Sequence, residues 1–271
     1  MSGPASGPAN GGVLVRAALA PMLADASVRS EQVTQLLLGE TAELLEARGE
    51  WRRLRAHADG YEGWVNAGYL RAASAADVEG WRAQATGWSE GARVNLEGHG
   101  LVLPLGARVA LARGGTVTLP DGRRGQVVAG YVRPAAEIEA DARETAVERW
   151  ALDRFEGAPY EWGGRTPWGV DCSGVVQAAY AARGVALPRD SSKQALCGEP
   201  VAPDAIQPGD LLFFHGEHGP GGITHVAFAG PGETLIHSTI VCGGMLMEPR
   251  GAGSRAEDLM RRLVAVRRVA G

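Results

Sequence analysis

A cysteine at the predicted start of a helix is the residue of this chain best suited to act as a nucleophile. Cys172 lies between Asp171 and Ser173, which are residue types typical of helix starts, and an apolar run follows. A helix N-terminus stabilises negative charge, so we expect it to lower the pKa of the thiol and favour the thiolate. The alternative is a small apolar cysteine packed at a helix start.

Two histidines on predicted strands could supply the base. Apolar and β-branched residues predict strands over 223–229 and 234–239, with a turn at Pro231-Gly232, and each strand carries one histidine. In an antiparallel pair, His225 could accept the proton of Cys172 and His237 could hold the second ring nitrogen. A single strand histidine is more commonly a core or surface residue. The order of cysteine, histidine and histidine nevertheless favours nucleophilic catalysis.

Four motifs in the second half of the chain resemble the NlpC family of bacterial cell-wall cysteine peptidases. They are DCSG at 171–174, QPGDLLFF at 207–214, THVA at 224–227 and IH at 236–237. Their order and spacing are specific as well as their composition. The resemblance implies a papain-like fold in which Cys172 is the nucleophile, His225 the general base and His237 the polar third member.

Length and composition indicate a globular protein with more than one domain. The chain has 271 residues, of which 45% are hydrophobic and 21% charged, and its net charge of -4 gives no electrostatic reason to expect nucleic acid or anionic membrane as a partner. Three cysteines make a disulfide framework improbable and favour a reduced compartment. Residues 13–26 could be read as a signal segment, in which case the protein would be exported. However, Arg16 and Pro21 interrupt this segment and no basic residue precedes it, so we expect a cytoplasmic protein.

The first half of the chain predicts two small β-barrels. Residues 1–12 are rich in Gly and Pro and are expected to be disordered, and residues 13–75 alternate short strands with turns. WRRL at 51–54 followed by DGYEGWV at 59–65 resembles a bacterial SH3 domain. A second, divergent SH3-like barrel is predicted from 80 to 134, with a hairpin signal at Asp121-Gly122. Its ligand, if it has one, is not predicted.

The catalytic domain is predicted over 136–271. Apolar residues at helical spacing predict one helix from Ala136 to Phe155, and helices then precede an antiparallel sheet. The predicted fold class is therefore α+β, a papain-like catalytic domain preceded by two small SH3-like barrels.

This domain order resembles one subgroup, the γ-D-glutamyl-diamino-acid peptidases. The resemblance implies hydrolysis of the bond between γ-D-Glu and the diamino acid in murein peptides with a free N-terminal L-Ala, without a cofactor. It also implies wall-peptide recycling, with L-Ala-D-Glu as product. Tyr160 would line the site near the oxyanion. The residues implied in recognition of the substrate's ammonium group and L-Ala end are Asp171, Ser173, Ser191, Tyr61 and Glu31.

Each of these residues also has a purely structural interpretation. Tyr61 and Tyr160 could be ordinary barrel and core aromatics, and Glu31 a solvated surface acid. Asp171 and Ser173 could serve only as helix caps, and Ser191 could merely start a turn. A metal site formed by His215, His218 and Cys242 is a weaker possibility, because the Gly-rich spacing does not favour a regular ligand cage.

Three other functions share parts of this pattern. A secreted hydrolase of intact peptidoglycan would use the same catalytic residues. A non-catalytic wall-binding protein would depend on the barrels alone. An acyl transferase would use the same cysteine but pass the acyl group to an amine. The sequence leaves the choice between Lys and diaminopimelate, the oligomeric state and the protein partners open.

Overall fold

The computed structural model describes residues 11–217, 219 and 221–270, which form two compact units divided between Ile138 and Glu139. The disordered tail predicted for residues 1–12 lies, up to residue 10, outside the described residues. Gly11 and Gly12 are not part of a tail, because they form the beginning of the first strand and pair with two neighbouring strands.

Seven strands build the first sheet of the N-terminal unit. They are β1 (Gly11–Val15), β2 (Leu19–Leu23), β3 (Gln32–Leu37), β4 (Thr41–Arg48), β5 (Trp51–Ala56), β6 (Glu62–Asn66) and β7 (Leu70–Ser74). Their order in the sheet is β3-β2-β6-β5-β4-β1-β7. Alternating apolar side chains, among them Val13, Met22, Leu54 and Val65, enclose one core. This confirms an SH3-like β domain in the first part of the chain.

A helix that the sequence analysis missed follows this sheet. Helix α1 (Ala75–Gln84) crosses the position at which the second barrel was expected to begin. Ser74 and Asp77 form a capping box, in which the Ser74 side chain accepts from the Asp77 backbone and Asp77 accepts from that of Ser74. The helix buries Val78 and Trp81 against the first sheet. Its start could have been read from the Ser-x-x-Asp pattern.

The second β domain is a closed barrel of four strands. They are β8 (Gly87–Leu96), β9 (His99–Leu111), β10 (Thr116–Thr118) and β11 (Arg124–Pro134), in the order β10-β11-β8-β9. The turn after β3 touches this barrel, since the Arg108 N-H donates to the Leu38 carbonyl over 2.8 Å. Gly39 in the turn has a φ of +84°, and a Cβ there would lie 1.9 Å from the Arg108 carbonyl oxygen. Only glycine fits this close approach.

The C-terminal unit combines helices with one antiparallel sheet. After α2 (Ala135–Glu144), which spans the division between the units, its elements are α3 (Val147–Phe155), β12 (Arg165–Thr166), β13 (Gly169–Val170), α4 (Cys172–Ala181), α5 (Ser191–Gln194), β14 (Glu199–Pro200), β15 (Leu211–His215), β16 (Ile223–Gly230), β17 (Thr234–Thr239), β18 (Gly244–Pro249), α6 (Arg255–Met260) and β19 (Leu263–Arg268). The six-stranded sheet has the order β14-β19-β15-β16-β17-β18. Phe155 of α3, Tyr180 of α4, and Phe213 and Phe228 of the sheet are fully buried.

The single helix predicted over Ala136 to Phe155 is wrong, because two helices occupy this stretch. Ala146 is extended, with a ψ of 136°, and separates α2 from α3. The carbonyl of the preceding Thr145 accepts a hydrogen bond of 2.5 Å from the guanidinium of Arg183. Arg183 therefore binds the Thr145 carbonyl, which in a continuous helix would have accepted a backbone hydrogen bond.

The helices of the described residues are all too short or too polar to cross a membrane. The α+β fold class expected for the chain, with β domains first and a mixed catalytic domain last, is confirmed.

Candidate active site

Cys172 is the first residue of α4, as its sequence context predicts. The Asp171 side chain caps the helix by accepting from the Gly174 N-H at 2.7 Å. Gly174 leaves room for the incoming loop, since a Cβ on it would lie 2.1 Å from the carbonyl oxygen of Gly164. Cap and glycine together hold the thiol at the helix start. Cys172 is 8% exposed, so its sulfur is largely shielded from water.

Burial, and not the helix start, dominates the acidity of this thiol. Loss of solvent raises the pKa of Cys172 to about 12, and the neighbouring charge of Asp171 adds to the rise. Backbone N-H groups of Val226 and Ser173 and the charge of Arg189 act in the opposite direction without reversing it. The prediction that the helix start lowers the pKa of the Cys172 thiol is therefore wrong. A thiolate must form by transfer of the proton to a base.

His225 and His237 lie side by side on the paired strands β16 and β17. Nε2 of His225 is 2.7 Å from Nδ1 of His237, and the ring planes meet at 68°. Phe228 pairs with Ile236, and extending this register places Ala227 across from His237. His225, two residues from Ala227 on the same face, is thus the diagonal neighbour of His237. The contact occupies Nε2 of His225 and leaves Nδ1 for another partner.

Cys172 contacts β16 at the residue that follows His225. Val226, the residue after His225, directs its backbone N-H at the sulfur of Cys172. On the other side, the Ser238 hydroxyl, next to His237, donates to the Val170 carbonyl over 2.7 Å. These two contacts tie the segment before α4 to both histidine-bearing strands. The structure thus brings Cys172, His225 and His237 into one site.

Both imidazoles are neutral at neutral pH. Burial lowers the pKa of His225 to about 3, and the positive charges around it, first that of His237 when protonated and then that of Arg255, lower it further. Burial, followed by the charge of Arg255, lowers the pKa of His237 to about 4. A neutral imidazole has one nitrogen free to accept a proton, which is what a general base requires.

A carboxylate and an arginine lie behind His237, and the sequence analysis missed both. Oε2 of Glu248 on β18 is 3.2 Å from Nε2 of His237. Arg255 at the start of α6 holds that carboxylate with two hydrogen bonds, one of them 3.2 Å from Nε to Oε1 and the other from the guanidinium to Oε2. His237 pairs with Leu246 in the sheet, so Glu248 faces the same side as His237. Only the strand register reveals this neighbour.

Arg189 is a second residue that the sequence analysis did not identify, since its surroundings were read as a polar turn. It is 2% exposed and forms a 2.6 Å salt bridge with Asp171. Its guanidinium also donates to the Ser173 hydroxyl over 2.7 Å. A buried arginine beside a helix cap has no signature in the sequence alone.

This network changes the interpretation of Asp171 and Ser173. The carboxylate of Asp171 accepts from both arms of the Arg189 guanidinium, from Ser173 and from the N-H groups of Gly163 and Gly174. A carboxylate offers about four acceptor positions, so all of them are in use. Asp171 and Ser173 therefore shape the loop around Cys172, and their contact with an ammonium group, which the resemblance implies, stays a prediction.

Tyr160 is held beside the nucleophile by its backbone. Its N-H donates to the Gly243 carbonyl over 2.8 Å, and the residue forms a bridge with Val170. Burial, followed by the negative charges that Cys172 and Asp171 can carry, raises the pKa of the phenol to about 12. The hydroxyl therefore remains a hydrogen-bond donor at any physiological pH.

The remaining predicted residues belong to other elements of the chain. Ser191 begins α5, two residues after Arg189. Tyr61 packs against the core of the first β domain, and the Glu31 carbonyl accepts from Ala24 there, so both belong to the N-terminal unit.

The weaker metal-site alternative involves residues only partly described. His218 lies outside the described residues, and Nδ1 of His215 is 2.7 Å from the carbonyl of Gly216. Within the described ranges 11–217, 219 and 221–270, no group of three or more His, Cys, Asp or Glu residues could hold a metal ion.

Comparisons with known proteins agree with this geometry. Residues 157–250 match the NlpC/P60 family, and residues 22–70 match the bacterial dipeptidyl-peptidase Sh3 domain. A crystal structure of an NlpC/P60 family protein from Bacillus cereus ATCC 10987 superposes with a TM-score of 0.76 at 19% identity, covering 96% of this chain and 100% of that one. This likeness establishes the fold.

Two relatives are named gamma-D-glutamyl-L-lysine dipeptidyl-peptidase. The protein of Bacillus cereus (strain ATCC 10987 / NRS 248) is 28% identical over 226 residues, which is 76% of this chain and 66% of the relative. The protein of Bacillus subtilis (strain 168) is 44% identical over 84 residues, which is 31% of this chain and 28% of the relative. This chain thus spans less than two thirds of either relative. The matches show that residues 157–250 of this chain form an NlpC/P60 family domain and that residues 22–70 form a bacterial dipeptidyl-peptidase Sh3 domain.

Proposed function

We propose that this protein hydrolyses the bond between γ-D-Glu and the diamino acid of murein peptides that begin with a free L-Ala, releasing L-Ala-D-Glu. The observation that carries the proposal is the 2.7 Å contact between His225 and His237. His225 lies on β16, and the backbone N-H of the next residue, Val226, points at the sulfur of Cys172. The names of the two dipeptidyl-peptidase relatives support the choice of bond.

The proposed reaction begins with transfer of the Cys172 proton to Nδ1 of His225. The thiolate sulfur then bonds to the carbonyl carbon of the scissile amide, and the carbonyl electrons move to its oxygen. The backbone N-H of Cys172 and the Tyr160 hydroxyl are the proposed donors to this oxyanion, and a donor of this kind is worth about 3 kcal/mol. No cofactor takes part in this scheme.

Collapse of the tetrahedral intermediate breaks the carbon-nitrogen bond. His225 returns its proton to the amine of the diamino acid, which leaves, and an acyl-enzyme thioester remains on Cys172. His225 then takes a proton from water as the water oxygen attacks the thioester, and the released Cys172 sulfur recovers a proton from His225. Neutral resting forms of both groups suit this cycle, because Cys172 begins with the proton and His225 with the free nitrogen that takes it.

Recognition of the free amino end is proposed to involve Ser191, Tyr61 and Glu31. A buried ammonium group requires hydroxyl and carboxylate acceptors, and an N-acylated peptide would leave such acceptors without a partner. Asp171 and Ser173, which also fix the loop that carries Cys172, belong to the same proposed set of residues. The cellular role that follows is recycling of wall peptides in the cytoplasm.

Mass spectrometry of the products tests the proposal directly. L-Ala-γ-D-Glu-L-Lys, its diaminopimelate analogue and the N-acetylated forms of both are incubated with the full-length protein. We expect cleavage of the free peptides only, with L-Ala-D-Glu as product, and loss of cleavage in Cys172→Ala. Cys242→Ala, which removes an exposed free cysteine, is the matched control and should retain activity. Equal turnover of the acetylated peptides would refute recognition of the free amine. Turnover by Cys172→Ala would refute the nucleophile.

A further inference from the structure

We propose that Glu248, clamped by Arg255, is a positioning residue that fixes the tautomers of both histidines so that the lone pair at Nδ1 of His225 faces the nucleophile. This inference rests on the proposed function for its catalytic consequence, but the tautomers can be observed without substrate. The four side chains form one continuous hydrogen-bonded series, from His225 through His237 and Glu248 to Arg255.

The direction of each hydrogen bond follows from the carboxylate. An ionised carboxylate only accepts, so the 3.2 Å contact requires the proton of neutral His237 to be on Nε2. Nδ1 of His237 then carries a lone pair and can only accept. The 2.7 Å contact in turn requires His225 to donate from Nε2. Since neutral imidazole carries one ring proton, Nδ1 of His225 is left unprotonated and able to take the proton of Cys172.

Arg255 could in principle impose the opposite arrangement. Its Nη2 lies 3.5 Å from Nε2 of His237, and a hydrogen bond from it would need a lone pair there. Every ring proton would then move to the other nitrogen, and His225 would present an N-H to the thiol. Glu248 is nearer to the ring, at 3.2 Å, and it also accepts both hydrogen bonds of the Arg255 side chain. The carboxylate therefore decides the tautomer.

Burial makes this arrangement effective. The side chain of His237 is fully buried, and that of Glu248 is 15% exposed, so water competes little for the hydrogen bonds. The hydrogen bonds from Arg255 limit the rotations open to the Glu248 side chain. The series therefore favours the ground-state tautomer in which Nδ1 of His225 can accept a proton.

The ring protons can be observed directly by nitrogen NMR on the full chain labelled at histidine. We expect His237 at neutral pH to carry its proton on Nε2 and to have an unprotonated Nδ1. In Glu248→Ala, release of Arg255 should reverse both assignments, and His225 should then carry a proton on Nδ1. Observation of Nδ1-H on His237 in the wild-type protein would overturn the proposal, whether or not any peptide is cleaved.

Kinetics separate positioning from a structural role. We expect Glu248→Ala to lower kcat about 10- to 100-fold with little change in KM, as is typical when the partner that orients a functional histidine is lost. Glu248→Gln keeps an oxygen acceptor and should stay within about threefold of the wild type. Asp258→Ala, which removes an exposed acid of α6 paired with Arg261, is the control and should match the wild type.

The outcomes distinguish this proposal from the proposed function. Wild-type kcat and wild-type tautomers in Glu248→Ala would overturn the positioning role while leaving the peptidase intact. Equal loss of kcat in Glu248→Gln and Glu248→Ala, with His237 still protonated on Nε2 in both, would also overturn it. Failure of the wild-type protein to cleave the peptides, with the expected tautomers present, would refute only the proposed function. If Glu248→Ala does not fold, the wild-type tautomers and the rate of Glu248→Gln decide the question.

Discussion

Arg189 and Asp171 form a 2.6 Å salt bridge, and their side chains are only 2% and 7% exposed. Asp171 immediately precedes Cys172 in the chain. The Asp171 carboxylate also caps α4, so one acid both starts this helix and pairs with the buried cation of Arg189. Removing one partner of a buried pair leaves the other charged and without compensation, which costs more than the pair itself contributes. The geometry around Cys172 therefore depends on Arg189.

Replacing Arg189 by methionine should destabilise the protein strongly. We expect the free energy of unfolding to fall by about 3–5 kcal/mol, because Asp171 would remain buried without its cation. Arg149→Met is the matched control, since Arg149 pairs with Asp153 at 2.7 Å but is 65% exposed, and its stability should stay close to that of the wild type. Denaturant unfolding of the full chain measures both. Similar losses in the two variants would contradict the importance of this buried pair.

Acid should destabilise the folded protein through His225 and His237. Their pKa values fall from an ordinary 6.5 to about 3 for His225 and about 4 for His237, so below pH 6.5 the unfolded chain binds protons that the folded chain does not. Stability should therefore decrease as the pH falls from about 6.5 toward 4. Unfolding measured at several pH values should show a shallower decrease in His237→Gln. An unchanged pH dependence in that variant would contradict the lowered pKa.

Tyr160→Phe tests the proposed oxyanion donor. Loss of one preorganised donor typically lowers kcat by about 100-fold or more, and we expect an effect of that size with little change in KM. Because the phenol has a pKa of about 12, the loss should be the same across the neutral pH range. Tyr131→Phe, at a residue that is 70% exposed, serves as the control. Steady-state kinetics on the free murein peptide give the comparison, and full activity of Tyr160→Phe would assign the oxyanion to other donors.

The turn after β3, which contacts the second β domain, supplies a stability prediction. Gly39→Ala places a Cβ against the backbone carbonyl of Arg108, which cannot move aside without displacing β9. Gly49→Ala is the matched control, because Gly49 also has a positive φ, of +56°, but faces open space. Strain alone should cost about 1–2 kcal/mol in the control, and Gly39→Ala should cost clearly more. Thermal unfolding followed by tryptophan fluorescence measures the difference, and equal midpoints would contradict the close contact.

Local patterns in the sequence were sufficient to locate the central residues of the site. Cys172 follows a helix cap, and His225 and His237 each lie on a short apolar strand, so neighbouring residues carry the signal for all three. Arg189 and Glu248 were missed because their partners are remote in the chain or depend on strand register. No pattern of neighbouring residues encodes such contacts.

Two errors have the same physical origin. The break between α2 and α3 follows from a hydrogen bond that Arg183 donates to Thr145, 38 residues away. The direction of the Cys172 pKa follows from burial, whereas the helix start visible in the sequence predicts the opposite. In both cases tertiary structure outweighs a local preference that was identified correctly.

The position of β19 in the sheet has a consequence for the order of events during synthesis. This strand inserts between β14 and β15, although it is synthesised after β15 to β18. A nascent chain that already contains Cys172, His225 and His237 still lacks one partner of β15, the strand next to the one that bears His225. The sheet that holds both histidines can therefore be completed only after residue 268 has been synthesised.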